Sequence, residues 1–211
     1  MTNTKPIHRI AIIGTGVIGA SWTSLFLAKG LQVVATDPAP NAEAALRKFV
    51  ENAWPALKRL GLAAGASQSN LNFTTDLAKA ISGVDLVQEN GPERIDFKQK
   101  LYGQLDELLP PDVIIASSSS GLTMSEIQKG AASHPERCVI AHPFNPPHLI
   151  PLVEIVGGAK TSQETIRRAA EFYTSIGQRT VRLNKEMPGH VATPAGCFGT
   201  RGLSPRCRGC R

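Results

Sequence analysis

Residues 7–19 read Ile-His-Arg-Ile-Ala-Ile-Ile-Gly-Thr-Gly-Val-Ile-Gly, an apolar run of strand length that ends in a glycine-rich turn. Helical spacing of apolar residues follows over Val17–Lys29, and residues 31–36 form a second apolar run that ends at Asp37. A strand, a helix and a second strand in this order predict two parallel strands joined by a crossover helix.

The same alternation continues through most of the chain. Helical spacing recurs over residues 41–60, 93–109 and 162–176. Further strand patterns lie at residues 71–73, 84–88, 113–116, 138–141 and 152–156. Alternating strands and helices predict an α/β fold with a Rossmann-like, doubly wound, mostly parallel sheet.

Composition excludes several classes of protein. Of the 211 residues, 42% are hydrophobic and 19% are charged, which argues against a disordered or collagen-like chain. No apolar stretch reaches the roughly 20 residues that a membrane span requires. The first residues also lack the apolar segment of a signal peptide, so the sequence predicts a cytoplasmic protein.

The net charge of +6 is unevenly distributed. Residues 193–211 contain four arginines and no acidic residue, whereas residues 1–192 contain 19 basic and 17 acidic residues. We therefore predict a domain over 1–192 and an unstructured Arg/Gly/Cys-rich tail over 193–211. Three of the four cysteines lie in this tail without a fourth ligand nearby, so neither a metal site nor a nucleic-acid partner is predicted.

The turn after the first strand carries a nucleotide-binding pattern. Gly14 permits a tight turn, Gly16 lets the backbone approach a pyrophosphate, and Gly19 lets the helix pack on the strand. The pyrophosphate would lie at the helix N-terminus, beside Val17 and Ile18, where free N–H groups favour an anion. Asp37, 18 residues after Gly19, would accept hydrogen bonds from the ribose hydroxyls and repel a 2′-phosphate, so we expect NAD rather than NADP.

A second pattern places an imidazole and a carboxylate at neighbouring strands. His142 follows the strand at 138–141, and twelve residues later Glu154 lies inside the apolar run Leu-Val-Glu-Ile-Val. A carboxylate in such a run is unfavourable unless it is paired, and a histidine at a strand end is a natural partner. Such a pair can act as a general base with its orienting group, although a purely structural histidine has the same spacing.

Six motifs together resemble the L-3-hydroxyacyl-CoA dehydrogenase superfamily over about residues 7–192. They are the glycine turn at 14–19, Glu93 with Lys98, Ser-Ser-Ser-Gly-Leu at 118–122, His-Pro-Phe-Asn-Pro-Pro at 142–147, Leu-Val-Glu at 152–154 and Lys-Glu-Met-Pro-Gly-His at 185–190. Residues 37–40 and 53–57 are more similar to the branch that contains L-carnitine and L-gulonate dehydrogenases.

The resemblance implies roles for individual residues. His142 would take the proton from the substrate hydroxyl, Glu154 would be its partner, and Ser120 would hydrogen-bond the reacting oxygen. The cofactor contacts implied or predicted are Gly14, Gly16, Val17, Ile18, Gly19, Asp37, Glu93, Lys98, Ser118 and Asn145. Simpler interpretations stay open: a helix cap for Ser120, a turn former for Asn145, and solvated helix charges for Glu93 and Lys98.

The resemblance stops after Ala192. The family continues there with Asn-Arg-Leu and a helical domain that completes the acyl pocket and the homodimer, whereas this chain has Thr193 and no helical pattern. We hypothesise a shifted reading frame from residue 193, which the downstream genomic DNA would test. Loss of the helical domain would expose apolar surface and predicts poor solubility.

Three functions follow from the sequence as hypotheses. The first is NAD-dependent oxidation of a 3-hydroxy group on an acyl-CoA or on a small hydroxy acid such as carnitine or gulonate. The second is an NAD-binding domain with little or no catalysis, and the third is a crystallin-like structural role.

Overall fold

The computed structural model describes residues 6–187, and its centre is a single eight-stranded sheet. The strands are β1 (Arg9–Ile13), β2 (Gln32–Thr36), β3 (Leu71–Phe73), β4 (Leu86–Glu89), β5 (Ile114–Ser117), β6 (Cys138–Pro143), β7 (Leu152–Gly157) and β8 (Arg179–Leu183). Their order is β3-β2-β1-β4-β5-β6-β7-β8. Neighbours from β3 to β6 are parallel, β7 runs antiparallel to β6, and β8 is parallel to β7.

Among the described residues, six α-helices cover the two faces of the sheet. They are α1 (Val17–Ala28), α2 (Ala42–Leu60), α3 (Leu77–Ile81), α4 (Ile95–Leu108), α5 (Met124–Ile127) and α6 (Gln163–Ser175). Helices α1, α2 and α6 contribute to one hydrophobic cluster, and α3, α4 and α5 contribute to the other. The sheet is therefore doubly wound, which confirms the predicted Rossmann-like α/β class.

Helix α1 is buried along most of its length. Every residue from Gly19 to Ala28 is buried, because the helix consists mostly of small and apolar residues and lies between the sheet, α2 and α6. The Trp22 ring stacks on Phe26 with centroids 5.3 Å apart and lies 5.4 Å from the Tyr173 ring of α6. This packing fixes the N-terminus of α1 against the end of β1.

Three elements were absent from the sequence prediction. Helices α3 and α5 span only five and four residues, too short for a helical period to show in the sequence. Strand β8 is an edge strand of mixed polarity that lacks the apolar run by which buried strands are recognised. The other strands and helices lie within two residues of their predicted ends.

Residues 193–211, including Thr193 and three cysteines, lie outside the described residues, so the predicted tail and frame shift stay predictions. Residues 6–187 contain no separate helical domain. Within them, no helix combines the length and the apolar character needed to cross a bilayer.

Candidate functional site

Two positions in the turn between β1 and α1 require glycine, because a Cβ at either position would collide with neighbouring backbone atoms. Gly14 has φ +83°, and a Cβ there would lie 2.8 Å from the Asn90 carbonyl oxygen. A Cβ on Gly19 would lie 1.9 Å from the Gly14 carbonyl oxygen. Gly16 differs, because a Cβ there would meet nothing within 4 Å. The backbone at Gly16 therefore faces open space, as close approach of a ligand requires.

The N-terminus of α1 is free to bind an anion. Gly16 is its N-cap and provides no side-chain cap, and the first turn contains no acidic residue. Val17 is 61% exposed. The unsatisfied N–H groups and the helix dipole are therefore available to a pyrophosphate.

Asp37 lies directly after β2 and is held against this turn. Its Oδ2 accepts hydrogen bonds from the Thr15 backbone N–H at 2.8 Å and from the Thr15 hydroxyl at 3.1 Å, and its Oδ1 accepts from Ala39 N–H at 2.9 Å. A carboxylate oxygen can accept more than one hydrogen bond, so Asp37 keeps capacity for a ribose hydroxyl. These features fit NAD: a cradle without side chains, a free helix N-terminus and an acceptor at the end of β2.

A cleft of about 180 Å³ opens beside the turn, where the carboxyl ends of β1, β4 and β5 meet. The chain winds in opposite directions from β1 and β4, and ligands of doubly wound sheets bind at such a switch point. The cleft is lined by Ile18, Asn90, Gly91, Glu93, Lys98, Ser118, Ser119 and Ser120. It thus brings together five of the predicted site residues.

Glu93 fixes the loop that carries Ser120. Its Oε1 accepts hydrogen bonds from the Ser119 hydroxyl at 2.5 Å, Gly121 N–H at 2.6 Å and Leu122 N–H at 3.0 Å. Partial burial acts to raise the pKa of Glu93, but these hydrogen bonds and the charge of Lys98 outweigh it and lower the pKa below its usual value. Glu93 is therefore an ionised anchor for this loop.

Lys98 is buried, which excludes a solvated helix charge at this position. Only 1% of its side chain is exposed, and its Nζ lies 2.8 Å from both carboxylate oxygens of Glu89. The nearest oxygen of Glu93 is 3.9 Å from the same Nζ. Lys98 therefore reaches the cleft from beneath, through a buried ion pair.

Ser118 belongs to a polar network under the cleft. Its Oγ donates to Asn90 Oδ1 at 2.8 Å and accepts from Trp22 Nε1 at 3.1 Å and Gln88 Nε2 at 2.9 Å. The Tyr173 hydroxyl donates to Gln88 Oε1. The hydroxyl of Ser118 is thus engaged within the protein and ties α1, β4 and α6 together.

His142 and Glu154 face each other across the antiparallel strands β6 and β7, in direct register. His142 Nδ1 lies 2.8 Å from Glu154 Oε2, and His142 Nε2 lies 3.0 Å from Ser120 Oγ. An ionised carboxylate only accepts hydrogen bonds, so Nδ1 carries the proton and Nε2 of the neutral ring is an acceptor. The three side chains form a hydrogen-bonded series at the carboxyl end of β6, on the same side of the sheet as the cleft.

The loop after β6 is attached to α1. Ser21 Oγ lies 2.5 Å from His148 Nδ1 and accepts a hydrogen bond from His148 N–H at 3.2 Å. Asn145 is exposed in this loop, before a cis peptide bond to Pro146. The described contacts do not join Asn145 to the His142 series.

Sequence reasoning missed Glu89, Asn90, Ser119 and His148. Glu89 and Asn90 follow an apolar run at the carboxyl end of β4, which is a signal that such reasoning can use, because ligands bind where parallel strands end. The contact of His148 with Ser21 spans 127 residues and has no local signal.

Comparison with known proteins identifies the family. The sequence profile of the 3-hydroxyacyl-CoA dehydrogenase NAD-binding domain matches residues 9–187. The chain belongs to this family. NAD is therefore its cofactor, which confirms the prediction made from the glycine turn and Asp37.

Relatives of known function support this assignment. L-carnitine dehydrogenase of Pseudomonas putida is 51% identical over 186 residues, which are 88% of this chain and 58% of the relative. L-carnitine dehydrogenase of Streptomyces coelicolor is 48% identical over 192 residues, which are 91% of this chain and 60% of the relative. The chain thus spans about three fifths of the length of these relatives.

Two solved structures align with this chain over most of its length. An NAD⁺-dependent 5-formyl-3-hydroxy-2-methylpyridine 4-carboxylic acid 5-dehydrogenase aligns with a TM-score of 0.84 and 39% identity over 91% of this chain and 62% of its own. The 3-hydroxybutyryl-CoA dehydrogenase of Escherichia coli aligns with a TM-score of 0.77 and 28% identity over 84% of this chain and 38% of its own. The NAD-binding domain is therefore common to proteins that act on different substrates.

Proposed function

We propose that this chain carries the NAD-binding half of a dehydrogenase that oxidises the 3-hydroxy group of a small hydroxy acid of the L-carnitine type. The observation that carries the proposal is the series Glu154, His142 and Ser120, with 2.8 and 3.0 Å between successive partners. Oxidation of an alcohol needs a base for the hydroxyl proton, and a neutral imidazole beside a carboxylate meets that need.

His142 is the proposed base. Its Nε2 is an acceptor directed at the Ser120 hydroxyl, so a substrate hydroxyl beside Ser120 can give its proton to Nε2. The Glu154 carboxylate, 3% exposed, orients the ring and stabilises the imidazolium that forms. Ser120 positions the reacting oxygen. Bound NAD supplies the hydride acceptor.

The cofactor contacts form the second part of the proposal. The free N–H groups at Gly16, Val17 and Ile18 would hold the pyrophosphate, and Asp37 would accept hydrogen bonds from the ribose hydroxyls. Glu93 and Lys98 would contact the cofactor from the floor of the cleft. Asn145 and Ser118 are also proposed contacts. Asn145 is exposed in its loop, and Ser118 is engaged in the network of Trp22 and Gln88.

The substrate class rests on the relatives at 46–51% identity, which are L-carnitine dehydrogenases. An acyl-CoA or L-gulonate substrate is the alternative. A cytoplasmic location, a small-molecule partner and the family's homodimer belong to the same proposal.

A second candidate is an NAD-binding domain that turns over slowly or not at all by itself. The observation that favours it is the coverage, because the relatives extend well beyond the 186 matched residues. To distinguish it from the first candidate, NADH binding and substrate turnover must be measured on the same sample.

The test combines NADH titration by fluorescence with NADH formation from L-carnitine, L-gulonate and 3-hydroxybutyryl-CoA in the presence of NAD. Binding together with turnover of L-carnitine supports the first candidate, and binding without turnover supports the second. Fusion to the C-terminal region of the Pseudomonas putida relative should then raise turnover. Absence of NADH binding would contradict both candidates.

A further inference from the structure

Glu89 is a fully buried carboxylate at the carboxyl end of β4, next to the cleft. Both of its oxygens lie 2.8 Å from Lys98 Nζ. Oε2 also accepts a hydrogen bond from the Ser117 hydroxyl at 2.7 Å, and Oε1 accepts one from Gly91 N–H at 2.6 Å. A buried carboxylate with four such contacts is fully satisfied and held in one position.

These contacts join Glu89 to three segments that border the cleft. Ser117 ends β5, Gly91 lies in the loop between β4 and α4, and Lys98 lies in the first turns of α4. Lys98 Nζ is in turn 3.9 Å from Glu93, which holds the loop that carries Ser120. A change at Glu89 would therefore reach the cleft by two routes, through the Gly91 backbone and through the Lys98 ammonium.

We propose that Glu89 is a positioning residue for NAD binding, which holds the Lys98 ammonium under the cleft and sets the position of Glu93. The inference rests on the proposed function only in taking NAD as the ligand of the cleft. It does not require that the chain catalyses turnover. Without the Glu89 charge, Glu93 is the one carboxylate within 4 Å of Lys98 Nζ that remains among residues 6–187. The ammonium would move toward it and disturb the hydrogen bonds from Glu93 to the 119–122 loop.

The chain contains a matched control for a purely structural ion pair. Asp106 and Arg137 are also buried, with 3.0 Å between Asp106 Oδ1 and Arg137 Nη2. Arg137 donates to the carbonyl oxygens at the end of α4, and Asp106 accepts from the backbone N–H groups of Ser133 and His134. None of these residues lines the cleft. Loss of charge there should affect stability alone.

The experiment compares E89Q, K98M, the double variant E89Q/K98M and D106N. Melting temperature reports stability, and NADH titration by fluorescence reports cofactor binding. A buried ion pair replaced by two neutral side chains leaves no unpaired charge, so the double variant should melt above at least one of the single variants. Its dissociation constant for NADH should nevertheless stay raised by roughly tenfold or more, the effect of one lost charged hydrogen bond.

D106N should lower the melting temperature and leave the dissociation constant for NADH within about twofold of wild type. The inference is overturned if folded E89Q or the double variant binds NADH like wild type, or if D106N weakens NADH binding as much as E89Q does. If E89Q does not fold, the comparison of K98M with the double variant decides, because a Glu89 that acts through Lys98 predicts the same dissociation constant for NADH in both. If the wild-type chain binds NADH but shows no turnover, the proposed catalysis is contradicted. The inference about Glu89 is then still tested by the NADH titrations of the variants.

Discussion

The β1–α1 turn and the His142–Glu154 pair lie at the same edge of the sheet but are built differently. The turn is made of backbone and empty space: a Cβ on Gly16 would meet nothing within 4 Å, and one on Gly19 would collide with the Gly14 carbonyl at 1.9 Å. The pair is made of two side chains on neighbouring strands, joined at 2.8 Å.

The difference lies in what each region tolerates. The glycine positions of the turn are sensitive to size, because any added Cβ would occupy space that the pyrophosphate or the helix needs. The pair depends on chemical identity, because a base and a carboxylate must keep their proton arrangement. Substitutions should therefore separate cofactor binding from proton transfer.

The largest effect is expected for His142→Asn. An amide has no basic nitrogen, so the rate of NADH formation from L-carnitine should fall by about a thousandfold at saturating NAD. Asparagine can still donate to Glu154, which keeps the buried carboxylate paired. The dissociation constant for NADH, measured by fluorescence, should stay within about twofold of wild type. An equal loss of NADH binding would show that the two regions are not separate.

Glu154→Gln should have the next largest effect. An amide in place of the carboxylate neither stabilises the imidazolium nor fixes the proton on His142 Nδ1, so kcat should fall by roughly a hundredfold. The KM for NAD should not change, because Glu154 does not line the cleft beside the β1–α1 turn. Steady-state kinetics in both substrates measure this split. A rise in the KM for NAD with unchanged kcat would refute the proposed orienting role.

The same substitution, glycine to alanine, should have different effects at Gly16 and at Gly19. At Gly16 the methyl group has open space, so the melting temperature should stay near that of wild type while the dissociation constant for NADH rises about tenfold. At Gly19 the methyl group meets backbone, so the free energy of unfolding should fall by about 1–3 kcal/mol.

Differential scanning fluorimetry and NADH titration on both glycine variants measure the contrast. Gly61→Ala is a poor control because Gly61 has φ +99°, whereas a change at the exposed Thr75, such as Thr75→Ser, leaves both the turn and the helices untouched. If Gly16→Ala lowers the melting temperature as much as Gly19→Ala does, the open space at Gly16 is not free in solution.

The two regions also differ in how well the sequence predicts them. Gly14, Gly16 and Gly19 lie within six residues of one another, so their spacing predicts both the turn and NAD even though Gly14 also packs against the distant Asn90 carbonyl. His142 and Glu154 were identified as candidates, but their contact depends on the reversal of β7 against β6, which places them in register. Nothing in the apolar run of β7 distinguishes a parallel from an antiparallel strand.

Lys98 was predicted as a cofactor contact, but its buried ion pair with Glu89 was missed. Glu89 and Lys98 are nine residues apart, and a charged residue at a strand end or in a first helical turn usually faces solvent. Only the packing of α4 on the sheet buries both of them. Long-range burial of this kind leaves no periodic signal, whereas the alternation of strands and helices that gave the fold class does.

The smallest effect concerns His148, which connects the two regions through Ser21. Burial lowers the pKa of His148 below its ordinary 6.5. As the pH falls below that value, the unfolded chain binds a proton that the folded chain does not, so the free energy of unfolding decreases until the lowered pKa is reached.

Melting temperatures between about pH 5 and pH 7.5 should therefore fall more steeply toward acid for wild type than for His148→Gln, which does not titrate there. Because the amide can still accept a hydrogen bond from the Ser21 hydroxyl, the two proteins should differ little at the neutral end. Glu93, whose pKa is lowered, adds a loss of stability at more acid pH in both proteins alike. Parallel melting curves for the two proteins would mean that protonation of His148 does not strain the contact between the β6–β7 loop and α1.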